Sequence, residues 1–356
     1  MLTTLGDALR RLPVDIFAHP DFDAHEQVVF ATDEGSGLRA IISVHNTNRG
    51  PGLGGCRIWP YDSEADAVTD VLRLARGMTY KAALAGLDLG GGKSVILADA
   101  KTQKTPDMMR AMGVAVERLG GRYIVAEDVG ATPADMDAIA TQTTYVSGRS
   151  NGVGDPSPWT AEGVYLCLER AVQHRRNTDL SGVRVAVKGL GAVGGKLARK
   201  LAQAGATLFI ADIRDDAART IAAETGATVV GVDEATSLNV DVYAPCALGG
   251  ELDARTIDTI KAEIICGAAN NQLATPEDGA RLAARGILYC PDYLVNAGGL
   301  ISVAREAIPL SDADAEAKLR ALPDTLQTVG KRSDADQASM ADTADLLAEE
   351  RFKSKP

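Results

Sequence analysis

The sequence is short of residues that would tie a fold together covalently or through a metal. Its five cysteines, at 56, 167, 246, 266 and 290, are odd in number, scattered and never in a Cys-x-x-Cys pair. That argues against a disulfide framework or a zinc site and fits a reducing cytoplasm. The four histidines, at 19, 25, 45 and 174, have no metal-ligand spacing, and His45, closing a strand-like run, reads as a packed or hydrogen-bonded residue. No metal is expected. No apolar run approaches a membrane span, and the N-terminal stretch lacks a signal-peptide core and cleavage site. Positive charge is also in deficit: 37 Lys and Arg against 48 Asp and Glu leave a formal net charge of −11, which opposes binding to nucleic acid or an anionic membrane.

At 356 residues, 46% hydrophobic and 24% charged, the chain is long enough for two domains with separate cores. Its most informative stretch is RGMTYKAALAGLDLGGGKSVI, residues 76–96. Lys81 and Lys93 stand twelve residues apart there among small and apolar residues and one acid, Asp88. The run 67–76 has apolar residues at helical spacing, which predicts a helix over 63–77 with Lys81 at or near its end. Lys93 follows three glycines and stands at the mouth of a strand. The glycines leave room for a small ligand to approach the backbone. A lysine among apolar neighbours and near a second ammonium has its charged form disfavoured, which supplies a basic amine near neutral pH. Gly-Gly-Lys-Ser is not a P-loop, which requires glycine where this chain has Leu87 and a lysine that opens a helix.

In chain order, a short N-terminal helix precedes strands expected at Glu26–Phe30 and Leu38–Val44, joined by a turn at 33–37. Residues 48–57 read as a Gly-rich loop whose backbone can lie against a ligand, with Leu53 either presented there or in the core. A helix over 106–119 opens on Pro106. Residues 122–128 read as a strand ending in two acids. Strand carboxyl ends face the ligand crevice in α/β sheets, so Asp128 is a candidate site residue; the alternative is an aspartate capping the next helix. Turn-forming residues at 148–158 mark a hinge, and a helix is expected from Thr160 to His174.

The second half opens with an apolar strand, 183–187, then Lys188 and Gly189-Leu190-Gly191-Ala192-Val193-Gly194. A helix follows over 193–204, then a strand over 207–211 that ends at Asp212, eighteen residues past the last glycine. Strand, Gly-x-Gly-x-x-Gly, helix and distant acid together are the context a dinucleotide site requires. The pyrophosphate would sit on the helix N-terminus. Asp212 would bond the ribose hydroxyls and repel a 2′-phosphate, favouring NAD over NADP, with Arg214 nearby leaving the preference open. Further strands are expected at 228–232, 240–244, 264–267 and 287–289. Their end loops, carrying Cys246 and Ala247, Asn270, and Pro291 to Tyr293, should line the nicotinamide side. Asn296 begins another helix with Leu300 and Val303 on one face, which helix packing alone also explains. From Pro309 an acidic, Ala-rich helical tail is expected to return over the first domain.

These motifs resemble the glutamate/leucine/phenylalanine/valine dehydrogenases, and within them the leucine and valine branch. The landmarks are GPGLGGCRIWPY, the two-lysine stretch, RYIVAEDVG, GLGAVGG, YAPCALGG, CGAANNQL and PDYLVNAGG. The resemblance implies an α/β fold of two domains. One, 1–147, would bind substrate and mediate oligomerisation, with 325–356 packing back on it; the other, 148–324, would be a doubly wound, Rossmann-type NAD domain. The implied activity is reversible oxidative deamination of an L-amino acid to its 2-oxo acid and ammonia by a homo-oligomer.

By position, Lys81 matches the lysine that binds the substrate carboxylate, Lys93 the catalytic base and Asp128 the aspartate that exchanges protons with the amino group. Asn296 matches a residue near the carboxylate, and Gly54 and Gly55 fall in the substrate site. Thr160, Cys246, Ala247 and Asn270 fall at the nicotinamide end. The side-chain pocket matches Leu53, Ala126, Leu300 and Val303, all apolar, so a dicarboxylic substrate would leave a charge unpaired. Ala126 tilts the choice toward aliphatic substrates, Leu300 is bulkier than the expected valine, and the RIWPY stretch shared with tryptophan dehydrogenases keeps an aromatic substrate open. Lys188 stands where relatives place an uncharged residue. Rival readings are a non-catalytic NAD- or amino-acid-sensing protein, against which the two lysines and Asp128 argue, and a hydroxy-acid dehydrogenase, which would want a histidine near the hydride.

Overall fold

The computed structural model describes residues 15–354, so the expected N-terminal helix lies outside the described residues. The chain begins with a hairpin of β1 (Gln27–Asp33) and β2 (Leu38–Asn46). Asp33 Oδ2 accepts the backbone N–H and hydroxyl of Ser36 at 2.8 and 2.7 Å, and β1 runs past the expected end at Phe30 to reach that turn. With β3 (Gly52–Trp59), β4 (Gly90–Leu97) and β5 (Tyr123–Glu127) the hairpin forms a sheet of order β1-β2-β4-β3-β5. β3 runs parallel to β4 and β5, while β2 is antiparallel to β4.

Two glycine-rich segments are therefore strands, and Lys93 lies in the middle of one rather than at its mouth. Helix α1 (Glu64–Leu84), its N-terminus capped by Ser63 Oγ accepting from Asp66 N at 3.1 Å, lays Ala67, Val68, Val71 and Leu72 against Ile41 and Val95. It continues beyond residue 77 because Thr79, Tyr80, Ala82, Ala83 and Leu84 go on being buried. A Cβ on Gly91 would come within 2.1 Å of Thr79 N. The glycine thus lets helix and strand touch backbone to backbone. The space the triplet makes is filled by protein, not ligand, and the contact sets Lys81, in the helix's last turn, against the strand of Lys93. Helices α2 (Pro106–Glu117) and α3 (Pro133–Ala140) cover the opposite face, burying Met109, Met112 and Ile139 with Ile42, Ile96 and Val125.

The chain crosses to the second half through 148–156, where Glu306 accepts the N–H groups of Gly148 and Val153 at 2.7 and 2.5 Å. After α4 (Ser157–Arg176) comes an all-parallel sheet of order β11-β10-β9-β6-β7-β8. Its strands are β6 (Arg184–Lys188), β7 (Thr207–Ala211), β8 (Thr228–Val229), β9 (Val242–Pro245), β10 (Ile264–Ile265) and β11 (Leu288–Tyr289). β8 and β10 are shorter than expected; Val230 and Cys266 each donate one ladder bond, to Ile210 O and Tyr243 O, before the chain turns away. Strand order reverses between β6 and β9, the position where such sheets open a crevice. Helices α5 (Gly194–Gln203), α6 (Asp215–Thr225), α7 (Ala254–Thr259), α8 (Glu277–Ala284), α9 (Asp292–Val295) and α10 (Gly298–Ala307) follow the strands.

The acidic tail forms α11 (Asp312–Asp336) and α12 (Met340–Lys353). α11 runs along α4, tied by Arg170 to Asp324 at 2.9 Å. α12 lies on α1: Arg351 Nη1 donates to Ala83 O and Leu84 O at 3.2 and 2.8 Å, setting a positive charge at the helix's C-terminal end. Phe352 meets the Tyr80 ring at 5.4 Å. Among the described residues no helix is long and apolar enough to cross a membrane, and no group of His, Cys, Asp or Glu is arranged to hold a metal ion.

Candidate active site

Lys93 is 6% exposed and ion-paired with Asp128 Oδ2. Asp128 follows the last residue of β5. Its Oδ1 accepts the N–H of Val129 at 2.5 Å and lies 3.5 Å from Arg57 Nη2. Burial alone would push this carboxyl up, but the charges of Lys93 and Arg57, with the bonds from Lys93 and Val129, hold it below the usual carboxylate range. Asp128 caps no helix: Thr132 caps α3.

Lys81 reaches from the end of α1 to the second half, where its Nζ donates to Asn270 Oδ1 at 3.3 Å. Asn270 Oδ1 also accepts from Asn296 Nδ2 at 2.8 Å, and Asn296 Nδ2 donates to Ala268 O at 3.2 Å. Burial, and after it the charge of Lys93, draws Lys81 down to about 8 against the opposing pull of Asp292 and Asp128. Lys81 thus carries a depressed amine, and Lys93 is engaged by a carboxylate. Asn270, expected at the nicotinamide end, stands between Lys81 and Asn296.

Leu53 on β3, Ala126 on β5 and Leu300 with Val303 on α10 belong to one apolar cluster that spans both halves. Leu53 is 1% exposed and Leu300 9%. Gly54 and Gly55 adjoin Leu53, but neighbouring backbone accounts for their missing side chains. A Cβ at 54 would sit 1.7 Å from Gly92 O, and one at 55 would sit 2.4 Å from Glu127 O and 2.7 Å from Asp128 Cβ. These two glycines bring the strands of Lys93 and Asp128 together rather than offering a bare surface.

In the second half, Gly189 has φ +96°, and a Cβ there would lie 2.7 Å from Ala247 N. A Cβ on Gly194 would lie 1.9 Å from Gly189 O, whereas one on Gly191 meets nothing within 4 Å. The first and third glycines are consumed by the turn, and the second faces open space at the N-terminus of α5, which has no side-chain cap. Asp212 accepts the N–H groups of Leu190 and Arg214 at 2.6 and 2.9 Å and lies 3.3 Å from Arg214 Nε. Burial pushes it up, and those donors outweigh burial to keep it below its ordinary value. An open glycine, an uncapped helix start and an anion at the end of β7 fit a dinucleotide. Cys246 N–H donates to Lys188 O at 2.7 Å, its thiol pushed up to about 12 by burial, and Thr160 on α4 faces Gly299. Lys188 Nζ pairs with Glu251 Oε1 at 2.5 Å.

Sequence reasoning did not single out Arg57 and Asp292. Asp292 accepts from Asn271 N and Tyr289 OH at 2.9 and 2.7 Å. Each is a charge inside an otherwise apolar landmark, Arg57 in a stretch that reads as a loop and Asp292 in an end loop expected at the nicotinamide side. His45 is the packed residue expected, 2.8 Å from Thr79 Oγ1 and drawn to about 4 by burial.

A parallel dinucleotide-type sheet, facing two amines and an aspartate gathered at a second sheet and its covering helix, defines a two-domain α/β oxidoreductase. Residues 24–145 match the Glu/Leu/Phe/Val dehydrogenase dimerisation domain, and residues 152–227 and 210–313 match the Glutamate/Leucine/Phenylalanine/Valine dehydrogenase domain. The chain is 44% identical over 344 residues to the leucine dehydrogenase of Bacillus subtilis (96% of this chain, 94% of the relative). It is 46% identical over 342 residues to the valine dehydrogenase of Streptomyces coelicolor (94% of each). The crystal structure of L-tryptophan dehydrogenase from Nostoc punctiforme superposes with a TM-score of 0.82 at 43% identity, covering 93% of this chain and 96% of that one. The chain belongs to the Glu/Leu/Phe/Val dehydrogenase family.

Proposed function

We propose that the chain catalyses reversible, NAD-linked oxidative deamination of an aliphatic L-amino acid, such as leucine, valine or isoleucine, to its 2-oxo acid and ammonia. The observation that carries this reading is the convergence of Lys81, Lys93 and Asp128 beside the apolar wall of Leu53, Ala126, Leu300 and Val303. Bound NAD supplies the acceptor for the hydride of the α-carbon. Lys81 holds the substrate carboxylate as a point charge, with Asn296 beside it. Asp128 takes a proton from the substrate ammonium, freeing the nitrogen lone pair that stabilises the α-carbon as the hydride leaves. Lys93, once deprotonated, takes a proton from the water that adds to that carbon, Asp128 returns one to the nitrogen, and the carboxylate so freed takes the hydroxyl proton as the C=O forms and ammonia departs. The packing of Cys246 and Ala247 against the glycines of the Gly189 turn, and of Thr160 against Gly299, supports their place at the nicotinamide end, and the anion at Asp212 supports NAD over NADP.

The likeness to the tryptophan enzyme favours a second reading, the same reaction on an aromatic side chain. Pockets discriminate between side chains differing by a methylene by only about 1–3 kcal/mol, so activities will overlap. The test is NADH absorbance at alkaline pH with NAD, or NADP, and a panel of L-Leu, L-Val, L-Ile, L-Phe, L-Trp and L-Glu. We expect the highest kcat/KM for an aliphatic member and none for glutamate. A maximum at tryptophan selects the second reading, and binding of NAD without turnover of any member would make this a sensing protein. The dimerisation domain matched at 24–145 supports a homo-oligomer, and the five free cysteines support a reducing cytoplasm.

A further inference from the structure

Arg57 lies on β3, paired in register with Val95 of β4, one residue beyond the Cys56–Glu127 pairing with β5. Its Nη1 donates to both carboxylate oxygens of Asp70, at 2.9 and 3.2 Å, and Asp70 Oδ2 also accepts the phenol of Tyr61 at 2.6 Å. Its Nη2 turns the other way, to Asp128 Oδ1. The guanidinium thus bridges two carboxylates, one on the helix that carries Lys81 and one at the candidate proton-exchange site. Both partners are shielded: Arg57 is 24% exposed and Asp128 13%, so solvent does not screen the contact as it would a surface pair.

The two oxygens of Asp128 are not equivalent. Oδ1 is occupied by the Val129 N–H and faces Arg57, whereas Oδ2 faces Lys93. Arginine stays protonated throughout the working pH range, while a lysine can give its proton up. When Lys93 is deprotonated to activate water, Arg57 is the cation left beside Asp128.

We propose that Arg57 is a positioning residue for Asp128. It reserves Oδ1 so that Oδ2 is the oxygen that exchanges protons, and it keeps the carboxylate anionic after Lys93 has lost its charge. The role rests on the reaction proposed above. The groups facing Asp128 from each packed element are Cys56 and Arg57 of β3, Tyr61 of the segment after β3, Lys93 of β4, Tyr123 of β5 and, from α1, Lys81 with Asp70 behind Arg57. Burial pushes the Cys56 thiol up to about 12 and the Tyr123 phenol well above its ordinary value, so neither competes for charge in the working range.

The test is the pH profile of kcat/KM for the preferred amino acid in the full-length protein. Arg57→Met removes the cation, so Asp128 protonates at higher pH. The acid limb should move up by about one pH unit, an opposite charge at this range being worth at least that. kcat should fall roughly 10²-fold, with NAD affinity by fluorescence titration unchanged. Arg57→Lys restores the limb but not the full kcat, because it lacks the fork that grips Asp70. Should Arg57→Met fail to fold, Asp70→Asn decides: it keeps the cation but loosens its tether, so kcat falls about 10-fold with the limb in place. A limb that ignores Arg57→Met while kcat drops equally at every pH, or an Asp70→Asn enzyme with unaltered kcat, overturns the role of Arg57 alone. Absence of turnover in the unaltered protein overturns the assigned reaction, and this role with it.

Discussion

A Cβ on Gly91 would strike Thr79 N at 2.1 Å, whereas one on Gly191 would meet nothing within 4 Å. In the catalytic half the glycines of β3 and β4 are consumed by protein: helix α1 rests on one strand and Asp128 Cβ crowds another. In the nucleotide half the turn takes the first and last glycines and leaves the middle one, Gly191, facing outward. A missing side chain therefore does not say what fills its place; the element laid over it decides. The amines of the catalytic half are held by backbone contact, so their chemistry and their stability share the same residues. In the nucleotide half the two are separable.

The sharpest way to break this contrast is Gly91→Ala. The methyl would strike Thr79 N, Thr79 Oγ1 and Ala75 O, at 2.1, 2.3 and 2.6 Å, so α1 must lift from β4, at a cost of about 3 kcal/mol or more, and turnover should vanish with the loss of the Lys81–Lys93 arrangement. An alanine variant with unchanged Tm and activity would mean that helix and strand are not in backbone contact. The next largest effect separates chemistry from cofactor binding. Lys93→Ala should lower kcat by roughly 10³-fold while NAD titration stays as in the parent. Retention of near-normal rates would remove Lys93 from the mechanism.

How much of this was readable beforehand follows the same division. The nucleotide turn was legible because its signal is local: strand, three spaced glycines, helix and the acid at 212 lie within thirty residues of one another. The two lysines were legible as a pair, but the glycines between them read as ligand space because nothing local announces that Thr79 will lie on Gly91. The same non-local packing hid the depressed amine. Lys81 meets Asn270, a residue about two hundred positions away, and no spacing rule brings it to the end of α1. Arg57 escaped notice because residues 48–57 read as a loop, where a lone charge is ordinarily solvated, and only the β3–β5 register turns it toward Asp128.

Gly191→Ala probes the other side of the contrast. Its methyl enters open space, so Tm should stay within about 0.5 kcal/mol of equivalent stability. The same methyl narrows the approach of a pyrophosphate to the turn, raising the KM for NAD about 10-fold, or roughly 1.4 kcal/mol. A large fall in Tm would show that this glycine, too, is consumed by the fold.

The smallest expected effect is a pH dependence in which stability and affinity move in opposite directions. Lys81 titrates at about 8 in the folded chain against an ordinary 10.5, so between these values the unfolded chain binds the extra proton. Stability then rises with pH across that window, because the fold disfavours the charged form. Carboxylate binding needs the charge, so KM for the amino acid should rise a few-fold above pH 8 while the protein becomes harder to unfold. Lys81→Arg keeps the charge at every working pH and should flatten the KM profile. Lys81→Met should abolish the stability slope and leave KM high throughout. If KM and thermal stability climb together in the parent but Lys81→Arg changes neither, the titrating group is not Lys81, and the amine facing the second half is held for packing rather than for the substrate.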